Sequence, residues 1–290
     1  MRSLARFAMV LGALVACGPG PRNGGGADAG SGSNHPGLDA GSNSGTDGNL
    51  QNGPSLVYAH SGTTLYRIDT TTLQPVEVGD MTGLGTSSLT DLAIDKAGNM
   101  VGITLSKLFS IDSSTGSATL VKALAGAAQG ETSLSFIPSD LSDPNSADIL
   151  VSANDQGDVY QIDPTTGDAT QLGSYGSAAL GKIVSSGDLI GVRGLGIYAT
   201  VNIGSAGTDY LAKIDPTTWA ATPLGTGTGF SDIFGLGFWD GTIYGFVDDK
   251  ANHTGTIISI DANTGAGTQL DGNTVEWFGA GVTTDAPIIE

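Results

Sequence analysis

The stretch QIDPTTGDATQL, residues 161–172, has four near copies elsewhere in the chain. Each copy contains an Ile-Asp pair, a Thr three residues after the Asp, and a Val or Leu nine residues after it. The other copies are RIDTTTLQPVEV (67–78), SIDSSTGSATLV (110–121), KIDPTTWAATPL (213–224) and SIDANTGAGTQL (259–270). Successive aspartates are 43 to 52 residues apart. A period of this length predicts repeated small sheets, each built by one copy of the repeat.

The residues around each copy alternate in the manner of β-strands. One strand runs into the Ile-Asp pair, and a second ends on the Val or Leu. A third strand lies upstream, where two apolar residues precede a small one, as in Met100-Val101-Gly102. A fourth strand precedes that one, at LTDLAID (89–95), TSLSFIP (132–138), an ambiguous stretch near 182–193, and IFGLGFWD (233–240). Each repeat is therefore predicted to be a four-stranded antiparallel sheet.

The first repeat has no such fourth strand, because a Gly-rich segment ends just before Leu56. A matching segment, EWFGAGVTT (276–284), follows the last repeat and has no partners after it. We expect this strand to complete the first sheet, which closes a ring and removes its free inner edges. The sequence predicts an all-β fold over residues 55–290, a five-bladed β-propeller of four-stranded antiparallel blades. The predicted domain is a monomer.

The repeated Asp has two interpretations. In the first it caps a turn: its carboxylate accepts backbone N–H groups, and a Gly at 116, 167 and 265 supplies the positive φ that the turn needs. Leu73 and Trp219 replace this Gly in the other copies, so those turns must differ or carry strain. In the second, five carboxylates bind Ca²⁺, but the spacing lacks the required ladder of ligands. We interpret the phrase as a turn, with Trp219 at an exposed tip.

The repeat resembles a broad class of bacterial β-propeller repeats with the motif LYxIDxxTGxxTxLG, which occurs in many exported proteins. The resemblance covers residues 55–290 and implies a fold rather than a chemistry.

The chain begins MRSLARFAMVLGALVAC, with a basic start and an apolar run too short to span a bilayer. Leu14-Val15-Ala16-Cys17 resembles the lipobox of bacterial lipoproteins. The resemblance implies that residues 1–16 are a signal peptide, that Cys17 receives diacylglycerol, and that its new amine is acylated by a fatty acid such as palmitate. The alternative is a secretory signal with an incidental cysteine. Gly18, where an Asp would retain the protein in the inner membrane, favours the outer membrane of the cell envelope, with a periplasmic or surface-exposed domain.

Residues 17–54 are rich in Gly, Ser, Asn and Asp and are predicted to form a disordered tether. As a flexible coil it reaches roughly 35 Å from the lipid surface. The formal net charge of −18 disfavours nucleic acid as a partner. The predicted partners are the membrane, through the lipid anchor, and an envelope or extracellular protein or glycan.

Candidate binding residues lie on the face opposite the repeated turns, which is where this fold usually binds ligands. His60 and His253 are in corresponding hairpins of blades that become neighbours when the ring closes. Asp248, Asp249 and Glu276 belong to the same sector. These groups could form a metal site or a general base, or could be solvated residues of the hairpins.

No nucleophile, phosphate-loop or zinc motif is present, and no cofactor is predicted, with a divalent cation as the alternative. The favoured interpretation is a non-enzymatic lipoprotein that displays a rigid propeller for protein or glycan binding. The alternatives are a metal-assisted hydrolase or lyase at the channel mouth, and a structural component of the envelope.

Overall fold

The structure is a computed structural model that describes residues 55–124, 128–273 and 275–284. The described residues form 21 β-strands. The first eleven are β1 (Val57–His60), β2 (Thr64–Ile68), β3 (Pro75–Asp80), β4 (Asp91–Ile94), β5 (Met100–Thr104), β6 (Lys107–Ile111), β7 (Ala118–Ala123), β8 (Glu131–Pro138), β9 (Asp148–Asn154), β10 (Asp158–Ile162) and β11 (Ala169–Ser174). The others are β12 (Ser177–Ala178), β13 (Gly181–Val192), β14 (Gly196–Ile203), β15 (Tyr210–Ile214), β16 (Ala221–Pro223), β17 (Ile233–Trp239), β18 (Thr242–Asp249), β19 (Thr254–Ile260), β20 (Gly267–Asn273) and β21 (Gly279–Val282).

The strands form five antiparallel sheets, and the predicted five-bladed propeller is confirmed. From the centre outward the blades are β21-β1-β2-β3, β4-β5-β6-β7, β8-β9-β10-β11, β13-β14-β15-β16 and β17-β18-β19-β20. The fourth blade carries one addition, the two-residue strand β12, which pairs with the start of β13. No helix in the described part of the chain is long and apolar enough to cross a bilayer.

The ring is closed by the C-terminal strand, as the sequence predicts. β21 pairs antiparallel with β1, with Val57 opposite Val282 and His60 opposite Gly279. The pairing extends beyond the strands, because the Thr283 N–H donates to the Leu56 carbonyl at 3.1 Å. The inner strands then contact one another in a cycle: β21 with β4, β4 with β8, β8 with β13, β13 with β17, and β17 with β21.

The repeated phrase is a five-residue turn between the third and fourth strands of each blade. In the opening copy, Asp163 Oδ1 accepts the N–H groups of Thr165 and Thr166 at 2.7 and 2.9 Å, and the Gly167 N–H donates to the Asp163 carbonyl at 2.7 Å. Gly167 has φ 68°, as the turn requires. The interpretation as a turn is thus supported by its geometry.

The two copies without glycine keep the same backbone. Leu73 and Trp219 have φ of 59° and 63°, so both carry the strain of a left-handed conformation. The expectation that Trp219 is exposed was wrong, since only 6% of the residue is accessible. Its ring packs into the core between the third and fourth blades, so burial of the indole compensates for the strain.

Five apolar clusters fill the five interfaces between blades. The cluster at the closing interface, between the fifth and first blades, is rich in aromatic rings. Trp277 is fully buried there and meets Tyr66 and Phe246 edge-on, with centroids 5.7 and 5.6 Å apart. Such edge-on pairs add to the free energy of area burial. They reinforce the one interface at which the first blade is completed by a distant part of the chain.

Candidate functional site

A cavity of about 390 Å³ lies at the mouth of the channel, on the face opposite the repeated turns. We call it the mouth cavity. All five blades contribute to its wall. The inner strands and the residues just before them supply Leu89, Thr90, Thr132, Ser186, Phe234 and Phe278. The end of β18 and its hairpin to β19 supply Asp248, Lys250 and His253, and Glu276 precedes β21. A ligand bound there would contact the whole ring.

The register of the inner strands explains which residues reach the cavity. Thr90, Thr132, Phe234 and Phe278 each lie two positions before the buried Leu or Ala at the middle of an inner strand. β13 shifts its register between Ser185 and Leu189, so the fourth blade presents Ser186 instead. Sequence reasoning missed these residues because it compared outer turns. Aligning the inner strands on their central Leu or Ala would have found four of them.

Three of the five candidate residues lie together in the mouth cavity: Asp248, His253 and Glu276. His253 Nδ1 is 2.6 Å from Glu276 Oε1, which makes an ion pair when the imidazole is protonated. His253 has φ 54°, so the hairpin holds this residue in a strained conformation.

Asp248 lies deeper than its neighbours, with 4% of the residue accessible. Its Oδ1 atom has no hydrogen-bond partner among the described residues. Burial, and after it the charge of Glu276, raises the pKa of the Asp248 carboxyl to about 6. This carboxyl therefore changes charge close to neutral pH.

Asp249 does not line the mouth cavity. Its carboxylate closes the hairpin instead, accepting the Asn252 side-chain amide at 2.7 Å and the Ala251 N–H at 3.2 Å. The hydrogen bond from Asn252 is the main reason that the pKa of Asp249 is lowered. Asp248 and Asp249, adjacent in sequence, thus point to opposite sides of β18, as alternation along a strand requires.

The sequence interpretation placed His60 in a hairpin at the mouth, as a binding residue or a solvated one, and the structure corrects this placement. His60 is the last residue of β1 and is fully buried. Its Nδ1 pairs with the Ser61 carbonyl at 2.8 Å, and its Nε2 has no partner among the described residues. Burial lowers the pKa of His60 to about 4, so the ring is neutral at physiological pH. His60 does not line the mouth cavity.

The two Phe rings in the cavity wall each contact another part of the protein. The Phe278 ring packs on Gly62, where an added Cβ would lie 3.0 Å from the ring. Lys250 Nζ lies 4.8 Å from the centroid of Phe234 and bonds Asp232 Oδ1 at 2.7 Å. The face of Phe234 thus already accepts an ammonium group of the protein itself.

Below the cavity two carboxyl groups join the inner strands, which sequence reasoning also missed. Asp91 accepts the N–H of Leu92 and, across to the next blade, that of Leu134, each at 2.8 Å. Asp188 bonds Leu236 of the next blade in the same way, at 2.7 Å. These bonds satisfy N–H groups on the free inner edges of the sheets.

Asp91 and Asp188 also interact with each other electrostatically. Burial raises the pKa of both carboxyls, and the charge of Asp188 raises that of Asp91 further. Ionising both carboxyls would place two repelling charges in a buried site, so the raised pKa values favour the protonated forms. We interpret the pair as a structural closure of the channel floor.

Within residues 55–124, 128–273 and 275–284, no three His, Cys, Asp or Glu side chains are grouped so that they could hold a metal ion. Cys17, the signal peptide 1–16 and the tether 17–54 lie outside the described residues.

The fold and the mouth cavity define a five-bladed β-propeller with an acidic, aromatic-lined channel mouth. No family model and no curated protein matches the chain. Among solved structures it is similar to a chain of a nidogen–laminin complex, at 10% identity and a TM-score of 0.51, covering 81% of this chain and 100% of that one. A protein of unknown function from Bacteroides caccae is similar at 10% identity and a TM-score of 0.48, covering 79% of this chain and 99% of that one. At such identities the similarity shows the fold alone.

Proposed function

We propose that the protein is a lipid-anchored binding module of the cell envelope, in which Cys17 carries the lipid, residues 17–54 are the tether and the propeller binds a protein or glycan at the mouth cavity. The cavity carries this proposal, because all five blades build its wall and it combines two Phe rings with polar groups. The similar nidogen–laminin chain belongs to a complex between proteins, which favours a protein partner.

The binding test removes the aromatic wall. A Phe234→Ala/Phe278→Ala variant of the full chain should lose capture of the partners that the wild-type protein takes from an envelope extract. The matched control is Leu120→Ala/Leu270→Ala, which removes exposed apolar side chains from the outer strands β7 and β20. Equal capture by all three proteins, or equal loss in both variants, would contradict binding at the mouth cavity.

The anchor is tested separately by membrane fractionation. The wild-type chain should sediment with the membranes, and Cys17→Ala should be released into the soluble fraction because a removed acyl anchor leaves no comparable membrane affinity. A Cys17→Ala protein that stays in the membrane fraction would argue against lipidation at this residue.

A metal-assisted hydrolase or lyase is the second candidate, and the His253–Glu276 pair favours it. A carboxylate that orients an imidazole is the usual arrangement of a general base. A screen of purified protein against chromogenic esters, glycosides and phosphoesters, with and without added divalent cations, tests this candidate. Turnover that disappears in His253→Gln would support an enzyme. No turnover by the wild-type protein would argue against the enzyme and favour the binding module.

A further inference from the structure

The wall of the mouth cavity contains a buried carboxyl group, that of Asp248, whose Oδ1 atom has no hydrogen-bond partner among the described residues. Of the charged groups in the cavity wall, Lys250 is paired with Asp232, and Glu276 contacts His253 Nδ1, a contact that is an ion pair when the imidazole is protonated. Asp248 has no ion pair among the described residues. Its Oδ1 atom lacks a hydrogen-bond donor there, although only 4% of the residue is accessible to solvent. A buried carboxylate without a partner is costly. A ligand that brings a donor and a positive charge would remove this cost.

The walls beside Asp248 suit a cation rather than an anion or a neutral alkyl group. Phe234 and Phe278 border the same cavity, and the face of an aromatic ring attracts cations. The position of the Lys250 ammonium over Phe234 demonstrates this in the protein itself. The formal net charge of −18 attracts cations to the domain as a whole.

Resting on the proposed function, we infer that the ligand of the mouth cavity presents a protonated primary amine, which binds the Asp248 carboxylate between the Phe234 and Phe278 rings. The rest of the ligand extends over Thr90, Thr132 and Ser186, whose hydroxyl groups provide hydrogen bonds on the other side of the ring. Such an amine is supplied by a lysine side chain of a protein or by an amino sugar of a glycan. The chemistry of recognition is the same for both.

Amine binding should depend on pH, because a proton and the amine compete for the same carboxylate. The groups that act on Asp248 are Glu276, Lys250, Asp232 and Asp249, together with His253 in the cavity wall. The raised pKa of Asp248, about 6, means that the carboxyl is largely ionised at pH 7.5 and largely protonated at pH 5. Affinity for the amine should therefore fall at least several-fold over this interval.

The experiment is a calorimetric titration of the purified full chain with Nα-acetyl-lysine methylamide and with its Nε-acetylated, neutral form. The amine should bind at least tenfold more tightly than the neutral form. Glucosamine and N-acetylglucosamine form the second arm. Preference for the lysine derivative assigns the amine to a protein, preference for glucosamine assigns it to a glycan, and either outcome supports the inference.

Asp248→Asn should weaken binding of the amine at least tenfold, and Asp163→Asn, its matched control in a repeated turn on the opposite face, should leave it unchanged. The comparison of charged with neutral probe needs no variant, so it remains decisive even if Asp248→Asn folds poorly. Equal binding of the charged and neutral probes, or no binding of either amine, would overturn the inference. The proposed function would survive that result if the Phe234→Ala/Phe278→Ala variant still lost its envelope partners.

Discussion

At the turn end of the blades, Asp69, Asp215 and Asp261 lie in solvent, and each carboxylate accepts two backbone N–H groups of its own turn. At the opposite end, Asp209 and Asp248 are buried. The hydrogen bonds lower the pKa of the three turn carboxyls, whereas burial raises the pKa of Asp209 and Asp248 to about 6. The pKa of an Asp side chain is thus shifted in opposite directions at the two ends of the blades.

The difference separates what the repeat does from what the individual blades do. Every blade has the same Asp at the turn end, and in each copy its carboxylate accepts a backbone N–H group of its own turn. At the mouth the equivalent positions differ between blades: the neighbouring second and third blades present Thr90 and Thr132, whereas the neighbouring fifth and first blades present Phe234 and Phe278. Positions that repeat in every blade therefore build the scaffold, and positions that differ between blades give the mouth cavity its selectivity for a ligand.

The largest expected effect comes from opening the ring. Deleting residues 276–290 removes β21 together with Trp277, so the first blade loses its inner strand and the closing interface loses its aromatic core. The truncated chain should lose cooperative thermal unfolding in circular dichroism. A permuted chain with residues 276–284 joined before Ser55 should fold again, because β21 and β1 are antiparallel neighbours. A truncated chain that melts like the full one would refute closure by this strand.

A smaller effect is expected from Trp277→Ala alone. It removes a fully buried indole and two edge-on aromatic contacts, and should lower the free energy of unfolding by about 3–5 kcal/mol. Trp219→Gly is the comparison at the turn end. It also removes a buried indole but relieves the positive φ, so its cost should be lower by about 1 kcal/mol. Denaturant titrations measure the loss of unfolding free energy in both variants. An equal or larger loss for Trp219→Gly would contradict the view that the positive φ of Trp219 is strained.

The scaffold could be predicted from the sequence because it depends on local patterns. The alternation before each Ile-Asp pair specifies strands, and the position of EWFGAGVTT after the last repeat specifies closure. The burial of His60 and the bonds from Asp91 and Asp188 to neighbouring blades depend on distances between blades, which no single repeat encodes. Gly279, for example, leaves room where an added Cβ would lie 2.5 Å from Asp91 Oδ1 and 2.6 Å from His60 Nε2. The sequence predicted only the sector of the ring in which the mouth cavity lies. Most of the cavity wall comes from residues of the inner strands, which the comparison of the repeated turns did not include.

The opposite pKa shifts predict opposite pH dependence for two matched variants. The pKa of Asp209 is raised from 3.8 to about 6 in the folded state, so its contribution to stability is present below about pH 4 and is lost as pH rises through about 6. Relative to Asp209→Asn, the wild-type protein should therefore lose about 2–3 kcal/mol of unfolding free energy between pH 4 and pH 7. Asn keeps an oxygen that can accept the Ile233 N–H, which Asp209 Oδ2 accepts at 2.9 Å.

Asp215→Asn is the matched variant at the turn end. The pKa of Asp215 is lowered, so its contribution is present above the unfolded value and is lost as pH falls through the folded value. The wild-type advantage over Asp215→Asn should thus shrink on acidification, the reverse of Asp209. Thermal melts of the three proteins from pH 3 to pH 8 give both differences, and slopes of the same sign would contradict the contrast between the two ends.

The smallest effect is expected at one copy of the repeated turn. Asp163→Ala leaves the N–H groups of Thr165 and Thr166 to water, while the backbone bond from Gly167 remains, so the melting temperature should fall by only a few degrees. The melting temperature of Asp163→Asn should fall less, because the amide oxygen of Asn still accepts these N–H groups. Neither substitution should alter binding at the mouth, since the turn lies on the opposite face. A loss of ligand binding in Asp163→Ala at unchanged stability would mean that the repeated turn, and not the mouth cavity, carries the function.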